Sequence, residues 1–213
     1  MTSALRTTGL LSLSAMPILA GIARLYDQTR STPTMDASMG STHMPSLLLV
    51  HIAGASIFLI LGAFQFMPVT RVRAWHRQAG RVAVIAGLLG AGSGAVLTVA
   101  LPMDPTAGPL LVPMRFFFSL LWFAALALGL ILAVRRQINA HRAWIIRGYT
   151  VGVATGLQSL ILLPWFFLFG VPTGLPSDLV MLAGWIVALL VGERMIRQRH
   201  NAFAPLARIP NPR

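Results

Sequence analysis

Six long apolar runs limit what this chain can fold into. Several of them exceed the roughly 20 residues needed to cross the hydrocarbon core of a bilayer. Only helices and closed barrels satisfy their backbone hydrogen bonds in lipid, and none of the runs alternates as a barrel strand does. The sequence therefore predicts an all-α, polytopic transmembrane helical bundle with six spans, at about residues 8–25, 46–69, 81–101, 114–134, 148–170 and 178–196.

The composition agrees with a membrane protein and excludes several kinds of chemistry. Charged residues make up 10% of the chain, whereas soluble domains contain roughly 25%. A net charge of +12 would favour nucleic acid as the partner of a soluble protein, but here the arginines occupy the gaps between apolar runs. We therefore expect the lipid bilayer, and no nucleic acid, as a partner. The absence of cysteine and lysine excludes disulfides, thiolate ligands and lysine Schiff bases.

The distribution of the arginines predicts the orientation of the chain. They accumulate between spans two and three, between spans four and five, and after span six, and such clusters face the cytoplasm. Only Arg24, Arg30 and Arg115 fall on the other side, so we expect both termini in the cytoplasm. The first span also resembles a signal peptide, but no A-x-A cleavage site follows it. We favour an uncleaved first helix.

Two basic stretches share a pattern that favours a ligand site. They are "RVRAWHRQAGR" (residues 71–81) and "RRQINAHRAWIIRG" (residues 135–148), and we predict both as loops. In each, a histidine is followed at once by arginine and by another arginine five or six positions later. Arginine binds phosphate and carboxylate bidentately, which favours a site for an anionic ligand. The alternative is that these arginines only set the membrane topology and make unspecific contacts with lipid phosphates. The predicted cytoplasmic site comprises His76, Arg77, Gly80, Arg81, His141, Arg142, Trp144 and Arg147.

A second candidate surface lies inside span two. Gln65 follows His51 by fourteen residues, close to four helical turns, so both side chains share a face with Gly62. Ionisable residues in a membrane are costly and are often functional, which predicts that this polar face points into the bundle. The alternative is a neutral buried histidine that is hydrogen-bonded to another helix.

The histidines raise the question of heme. His76 and His141 are candidate axial ligands for a heme b near the cytoplasmic side, or proton carriers for a bound quinone. His51 lies ~20–25 Å from them at 1.5 Å of rise per residue, so it cannot share their iron.

Two further patterns concern packing. We expect Glu193 to form an ion pair with Arg194 and Arg197, its neighbours in sequence. Small residues at a spacing of four permit close approach of two helices, which predicts packing faces at Gly90, Gly94, Gly152 and Gly156.

The segments "HIAGASIFLILGAFQF", "HRQAGR" and "HRAWIIRGY" resemble the bacterial predicted membrane proteins grouped as domain of unknown function 2306. The resemblance covers about residues 46–196 and implies a helical bundle in the bacterial cytoplasmic membrane, without an established activity. Residues 1–45 would add a first helix and an outer loop, and residues 197–213 a basic cytoplasmic tail. The family pattern falls on His51, Gly62, Gln65, His76, Arg77, Gly80, Arg81, His141, Arg142, Trp144 and Arg147. Trp185 and Glu193 match the family's sixth helix, but its asparagine is absent.

Three functions remain open at this point. The first is a redox component that binds heme b or a quinone through the His and Arg cluster. The second is a transporter or lipid-binding protein that uses the same cluster for an anionic headgroup or solute. The third is an accessory subunit without a ligand. The sequence contains no carboxylate pair and no activated nucleophile, and it leaves enzymatic activity, substrate and oligomeric state undetermined.

Overall fold

The computed structural model describes residues 3–30, 45–66, 73–101 and 106–203, and these residues form six helices and no β-strand. All six helices are long and apolar enough to cross a membrane, which confirms the predicted all-α polytopic bundle. We call the end with the α2–α3 and α4–α5 connections the basic end, and the other the opposite end. The helices are α1 (Ser3–Gln28), α2 (Pro45–Gln65), α3 (Arg73–Ala100), α4 (Leu111–Val134), α5 (Ile138–Phe169) and α6 (Leu175–Phe203).

The two basic stretches are helical for most of their length, so their prediction as loops was wrong. Helix α3 begins at Arg73 rather than at residue 81, and α5 begins at Ile138 rather than at residue 148. At 28 and 32 residues, these helices are ~42 and ~48 Å long, while the hydrocarbon core is only ~30 Å thick. Hydropathy detects only the part of a helix that lies in the hydrocarbon core. Arginine, alanine and glutamine have high helix propensity, so the helix continues through them beyond that core.

Four helices form a ring and two flank it. Helices α2, α3, α4 and α5 pack each on the next, and α2 meets α5 to close the ring. Helix α1 packs against α2 and α5, while α6 packs mainly against α5. Helix α5 therefore touches four of the other helices and is the centre of the bundle.

Close helix contacts occur at glycines, as the small-residue spacing predicted. A Cβ on Gly90 of α3 would lie 2.9 Å from the backbone nitrogen of Ala55 on α2. A Cβ on Gly156 of α5 would collide with the carbonyl oxygen of Leu13 on α1. Larger side chains at these two positions would push the helix pairs apart.

An aromatic layer crosses the middle of the ring. Phe58 of α2 packs against Trp122 of α4 and Tyr149 of α5, with ring centroids 5.4 and 5.7 Å apart. Phe66 lies 5.1 Å from the Tyr149 ring on the side of the basic end. Tyr149 also donates a hydrogen bond to the carbonyl of Leu59 at 3.1 Å. These aromatic side chains separate the interior near the basic end from the interior near the opposite end.

A buried carboxylate ties two connections together at the opposite end. Asp178, in the first turn of α6, is fully buried and accepts the backbone N–H groups of Gly108 and Leu110, each at 2.9 Å. The N–H of Gly174 donates to the carbonyl of Thr106 at 2.9 Å. The start of α4 is thereby held against the start of α6, where the helix dipole also favours a negative charge.

Candidate functional site

Two of the predicted site residues on α5, His141 and Arg147, contact neighbouring helices. The Nδ1 of His141 lies 2.7 Å from the carbonyl oxygen of Gly129 on α4. The guanidinium of Arg147 makes a two-point contact with Glu193 on α6, with Nε–Oε1 at 2.5 Å and a second N–O contact at 3.2 Å. It also lies over the Trp144 ring, 4.9 Å from the centroid. The charge of Arg147 is therefore balanced within the protein.

The expected pairing of Glu193 with Arg194 and Arg197 was wrong. Glu193 faces α5, where Gly192 lies close to Thr150 and draws the two helices together. Adjacent residues on a helix point in different directions, so Arg194 cannot reach the same partner. Arg197 is exposed, and the ion pair across the two helices takes its place.

The remaining arginines of the predicted cluster, Arg77, Arg81 and Arg142, are exposed at the basic end. On α3, a Cβ on Gly80 would lie 3.8 Å from Oε1 of Gln65. His76 precedes Gly80 by four residues, so this face of α3 turns toward α2. His141, in contrast, turns toward α4. The two histidine-bearing turns therefore contact different neighbouring helices, and the single joint site stays a prediction.

The polar face of α2 points inward along its whole length. The Nδ1 of His51 lies 2.8 Å from the carbonyl oxygen of Gly90 on α3. Gly62 packs on the Tyr149 ring of α5. Both amide atoms of Gln65 are buried, and no hydrogen-bond partner for them lies within the described part of the chain. A carbonyl oxygen can only accept a hydrogen bond, so the Nδ1 of His51 must carry the proton and donate it. The Nε2 atom is then unprotonated and can accept a hydrogen bond from another partner.

A cavity of about 490 Å³ lies between the aromatic layer and the opposite end. Its volume falls within the ~300–1,000 Å³ of typical small-molecule sites. All six helices contribute, and most of the wall is apolar. The side chains that bear polar groups are Arg24, His51, Ser56, Thr98, Arg115, Ser119, Trp122, Thr155, Ser159 and Trp185.

The cavity is rich in hydrogen-bond donors and positive charge. Arg24, near the end of α1, is only 8% exposed, and Arg115 lines the wall from the second turn of α4. Among the described residues that line the cavity none is acidic. An intramembrane arginine that faces a cavity commonly marks a ligand or ion pathway.

Trp122 adds an unused donor at the floor of this cavity. Its side chain is 7% exposed, and its Nε1 is buried without a hydrogen-bond partner in residues 3–30, 45–66, 73–101 and 106–203. The edge of the indole that bears the nitrogen lies against Gly152 of α5, which also lines the cavity. Such a buried N–H is available as a donor to a molecule in the cavity.

Sequence reasoning did not select Arg24, Arg115 or Trp122 as site residues. Trp122 lies within an apolar span, and nothing in its sequence context distinguishes it from a residue that only packs in the core. The two arginines did carry a signal, since they are two of only three that break the charge bias of the chain. Arginines are uncommon on the side of a membrane protein that faces away from the cytoplasm, and an arginine found there often lines a cavity inside the protein.

The fold is that of a polytopic helical membrane protein, and its helices surround a mostly apolar cavity that two arginines line. The chain belongs to the family of predicted membrane proteins named domain of unknown function 2306, whose sequence profile matches residues 48–196. This confirms the resemblance drawn from the three sequence segments. No curated protein and no solved structure is detectably similar to the chain. Helix α1, and with it Arg24, lies outside the matched region.

Proposed function

We propose that this membrane protein binds a small molecule with an anionic headgroup and an apolar body in the cavity near the opposite end. This places it with lipid-binding or transport proteins rather than with redox carriers. The binding site differs from the one expected at the basic end, because the arginines that line the cavity are Arg24, which is buried, and Arg115, which is partly buried.

The observation that carries the proposal is the set of donor side chains that line a mostly apolar cavity. Two guanidinium groups and the indole N–H of Trp122 line the cavity, and the indole N–H has no hydrogen-bond partner among the described residues. Charge-assisted hydrogen bonds from arginine suit carboxylate and phosphate oxygens.

A headgroup series with one common chain tests the proposal. Purified protein is titrated with oleic acid, oleoyl lysophosphatidic acid, oleyl alcohol and acetate. Oleic acid and the lysophosphatidic acid separate carboxylate from phosphate as the preferred headgroup, and acetate reports the contribution of the chain. We expect the neutral alcohol to bind at least about tenfold more weakly than the better of the two acids, because it lacks the charge-assisted contacts.

Two results would contradict the proposal. The first is equal affinity for oleyl alcohol and for both acids, which means that the cations do not select the ligand. The second is no binding of any compound in the series, which is the result expected of an accessory subunit without a ligand.

We further propose that the basic end faces the cytoplasm of a bacterial inner membrane. The support is the arginine distribution, with exposed Arg77, Arg81, Arg135, Arg136 and Arg142 at this end. Because the chain lacks cysteine, single cysteines can be labelled selectively with a thiol reagent that does not cross the membrane. Arg135→Cys is expected to be protected in intact cells and Thr173→Cys to be labelled, and the reverse pattern would show the opposite orientation.

Heme b at the basic end is the second candidate function. The observation that favours it is His141, whose Nδ1 is held by the Gly129 carbonyl so that Nε2 is presented as a ligand, as in many metal sites. His141 fits as one axial ligand, whereas His76 turns toward α2 and does not provide an obvious second one on the same side. Protein purified after heme-replete expression tests this directly, and the lack of a Soret band would eliminate heme. A quinone is neutral and fits the cationic cavity less well than an acid does.

A further inference from the structure

We infer that His51 is the proton-binding residue of the cavity, and that an anionic ligand and a proton are bound there together. This inference rests on the proposed binding function. It adds a second bound species, the proton, and therefore a dependence of ligand binding on pH. The ligand class that follows is an acid that enters the cavity as an anion and is held there with one proton on the protein.

The imidazole of His51 is held by one nitrogen and leaves the other available. His51 is partly buried and lines the cavity, and its Nδ1 donates to the carbonyl oxygen of Gly90 on α3 at 2.8 Å. A Cβ on Gly94, one turn further along α3, would lie 2.9 Å from Cε1 of the same ring. Within the described residues the ring makes no second hydrogen bond. Helix α3 therefore sets the orientation of the ring, and Nε2 keeps its lone pair.

Helix α4 brings a guanidinium close to the level of this ring. The Oγ of Ser119 lies 3.6 Å from the same Cβ position on Gly94, so Ser119 and His51 are at one level of the cavity. Arg115 precedes Ser119 by four residues, which is ~6 Å along α4 toward the opposite end. A headgroup that contacts Arg115 therefore lies about one helical turn from the His51 ring.

Helix α1 does the same from the other wall. A Cβ on Gly21 would lie 2.7 Å from a methyl carbon of Ile52, the residue that follows His51 on α2. Arg24 follows Gly21 by three residues, which is ~4.5 Å along α1 toward the opposite end. The headgroup position between the two arginines is thus next to His51 on this side as well.

A neutral His51 opposes an anionic oxygen, whereas a protonated one binds it. With Nδ1 donating to Gly90, the other nitrogen of the neutral ring has a lone pair and no hydrogen. A carboxylate, phosphate or sulfonate oxygen also presents only lone pairs, so the two groups repel each other. A proton on Nε2 turns the ring into a cation that donates a charge-assisted hydrogen bond. Binding of the anion therefore draws a proton from water onto Nε2 of His51.

The other ionisable side chains around the cavity do not take this proton. Arg24 from α1 and Arg115 from α4 line it, and a guanidinium is already protonated in proteins. Helices α3, α5 and α6 bring no acid or base to the described lining. Asp27, in the last turn of α1, is buried beside Arg30 at 3.9 Å and does not line the cavity. His51 is thus the lining residue that can gain a proton near neutral pH.

The coupling between the two bound species is reciprocal. If the anion favours the proton on His51, the proton favours the anion by the same factor. The ligand should therefore bind more tightly as the pH falls. A monoanion and a proton together carry no net charge, and moving a neutral pair through the bilayer core costs less than moving a charge. The arrangement therefore suits a transporter of acids.

Dodecanesulfonate is the probe, because its headgroup stays anionic and any proton taken up must go to the protein. Calorimetric titrations of purified protein in two buffers with different enthalpies of ionisation give the number of protons taken up per ligand. They are run between about pH 5.5 and 8.5, the range in which histidine ordinarily titrates. The test variants are His51→Gln and His51→Asn. The matched control is His141→Gln, because His141 also places Nδ1 on a carbonyl but does not line the cavity.

We expect the wild type to take up about 0.5–1 proton per sulfonate at the maximum, with an affinity that falls up to about tenfold per unit of rising pH. The His141→Gln control should behave in the same way. Both His51 variants should bind the sulfonate without proton uptake and with an affinity that is nearly independent of pH. At the upper end of the pH range, the affinities of wild type and variants should agree within about tenfold.

Four results would overturn the role of His51. One is sulfonate binding by the wild type without proton uptake. Another is uptake that persists in both His51 variants, because a different group such as Asp27 then takes the proton. A third is a wild type that binds oleate but no sulfonate, since the acid then enters neutral with its own proton. The fourth is loss of all binding in both variants at every pH, because a neutral His51 should not be needed for affinity.

Failure of the binding function itself has a different signature. If the wild-type protein binds neither oleate nor the sulfonate at any pH, the proposed function is wrong and the role of His51 is wrong with it. If it binds both but without proton uptake, only the role of His51 is wrong.

Discussion

The two ends of the bundle use arginine in opposite ways. At the basic end arginines are numerous, and they are either exposed, as Arg81 and Arg142 are, or neutralised by a partner, as Arg147 is by Glu193. In the other half they are few, but Arg24 is buried and both Arg24 and Arg115 line a cavity. An exposed arginine is screened by water, whereas a charge beside an apolar cavity is screened much less.

The difference shows that clusters of arginine along the sequence indicate the orientation of the chain in the membrane. The candidate binding site is indicated instead by which arginines line an interior cavity. The basic stretches are conspicuous because many arginines stand together, and the positive-inside rule accounts for them. The cavity arginines are isolated in the sequence. They gain significance only when the fold brings α1 and α4 to the same interior space as His51.

The largest expected effect comes from removing the two cavity cations. In Arg24→Gln/Arg115→Gln, two charge-assisted contacts of about 1.5–3 kcal/mol each are lost, so oleate affinity should fall at least about 100-fold. The matched variant at the basic end, Arg81→Gln/Arg142→Gln, should bind oleate as the wild type does. Equilibrium titration of the purified variants provides the measurement. If the second pair reduces affinity more than the first, the two ends have been assigned the wrong roles.

The next largest effect is on stability, and it is measured by comparing Asp178 at the opposite end with Glu193 at the basic end. Asp178→Asn weakens the two hydrogen bonds to the N–H groups of Gly108 and Leu110, and we expect it to cost about 1.5–3 kcal/mol. Glu193→Gln breaks an ion pair that is about one-third exposed, and it should cost about 1 kcal/mol or less. Thermal unfolding in detergent compares the two variants, and a larger loss for Glu193→Gln would contradict the proposed structural role of Asp178.

The smallest expected effect is on a single neutral donor. Trp122→Phe removes the indole N–H and keeps most of the ring, so one hydrogen bond of about 0.5–1.5 kcal/mol is lost and oleate should bind about 2–10-fold more weakly. Trp144→Phe at the basic end, which alters the ring beneath Arg147, should leave oleate affinity unchanged. Unchanged binding by Trp122→Phe would mean that the donor serves a water molecule rather than the ligand.

Much of the fold follows from local sequence features. Apolar run length and the requirement for internal backbone hydrogen bonds predict six helices. The four-residue spacing of Gly90 and Gly94, and of Gly152 and Gly156, predicts close helix contacts. The starts of α3 and α5 were missed because hydropathy marks the hydrocarbon core and not the end of the helix. Polar residues such as Arg73 and Gln78 continue these helices without adding to the apolar signal.

Less of the candidate site can be predicted, because the site is built by contacts between distant parts of the chain. The helical period correctly placed His51 and Gln65 on one face. It could not show that Arg24 lies beside the same cavity, since residues 24 and 115 are far apart in sequence. The partner of Glu193 was missed for a related reason, because Arg147 on another helix competes with the nearby arginines.

A structure of the protein with a brominated fatty acid tests the central claim most directly. Anomalous scattering from the bromine locates the chain, and the density of the carboxylate locates the headgroup. We predict that the carboxylate lies within hydrogen-bond reach of Arg24 and Arg115, with the chain in the cavity above Trp122. A headgroup bound instead at Arg77, Arg81 or Arg142, with the cavity lacking any fatty acid, would contradict the claim.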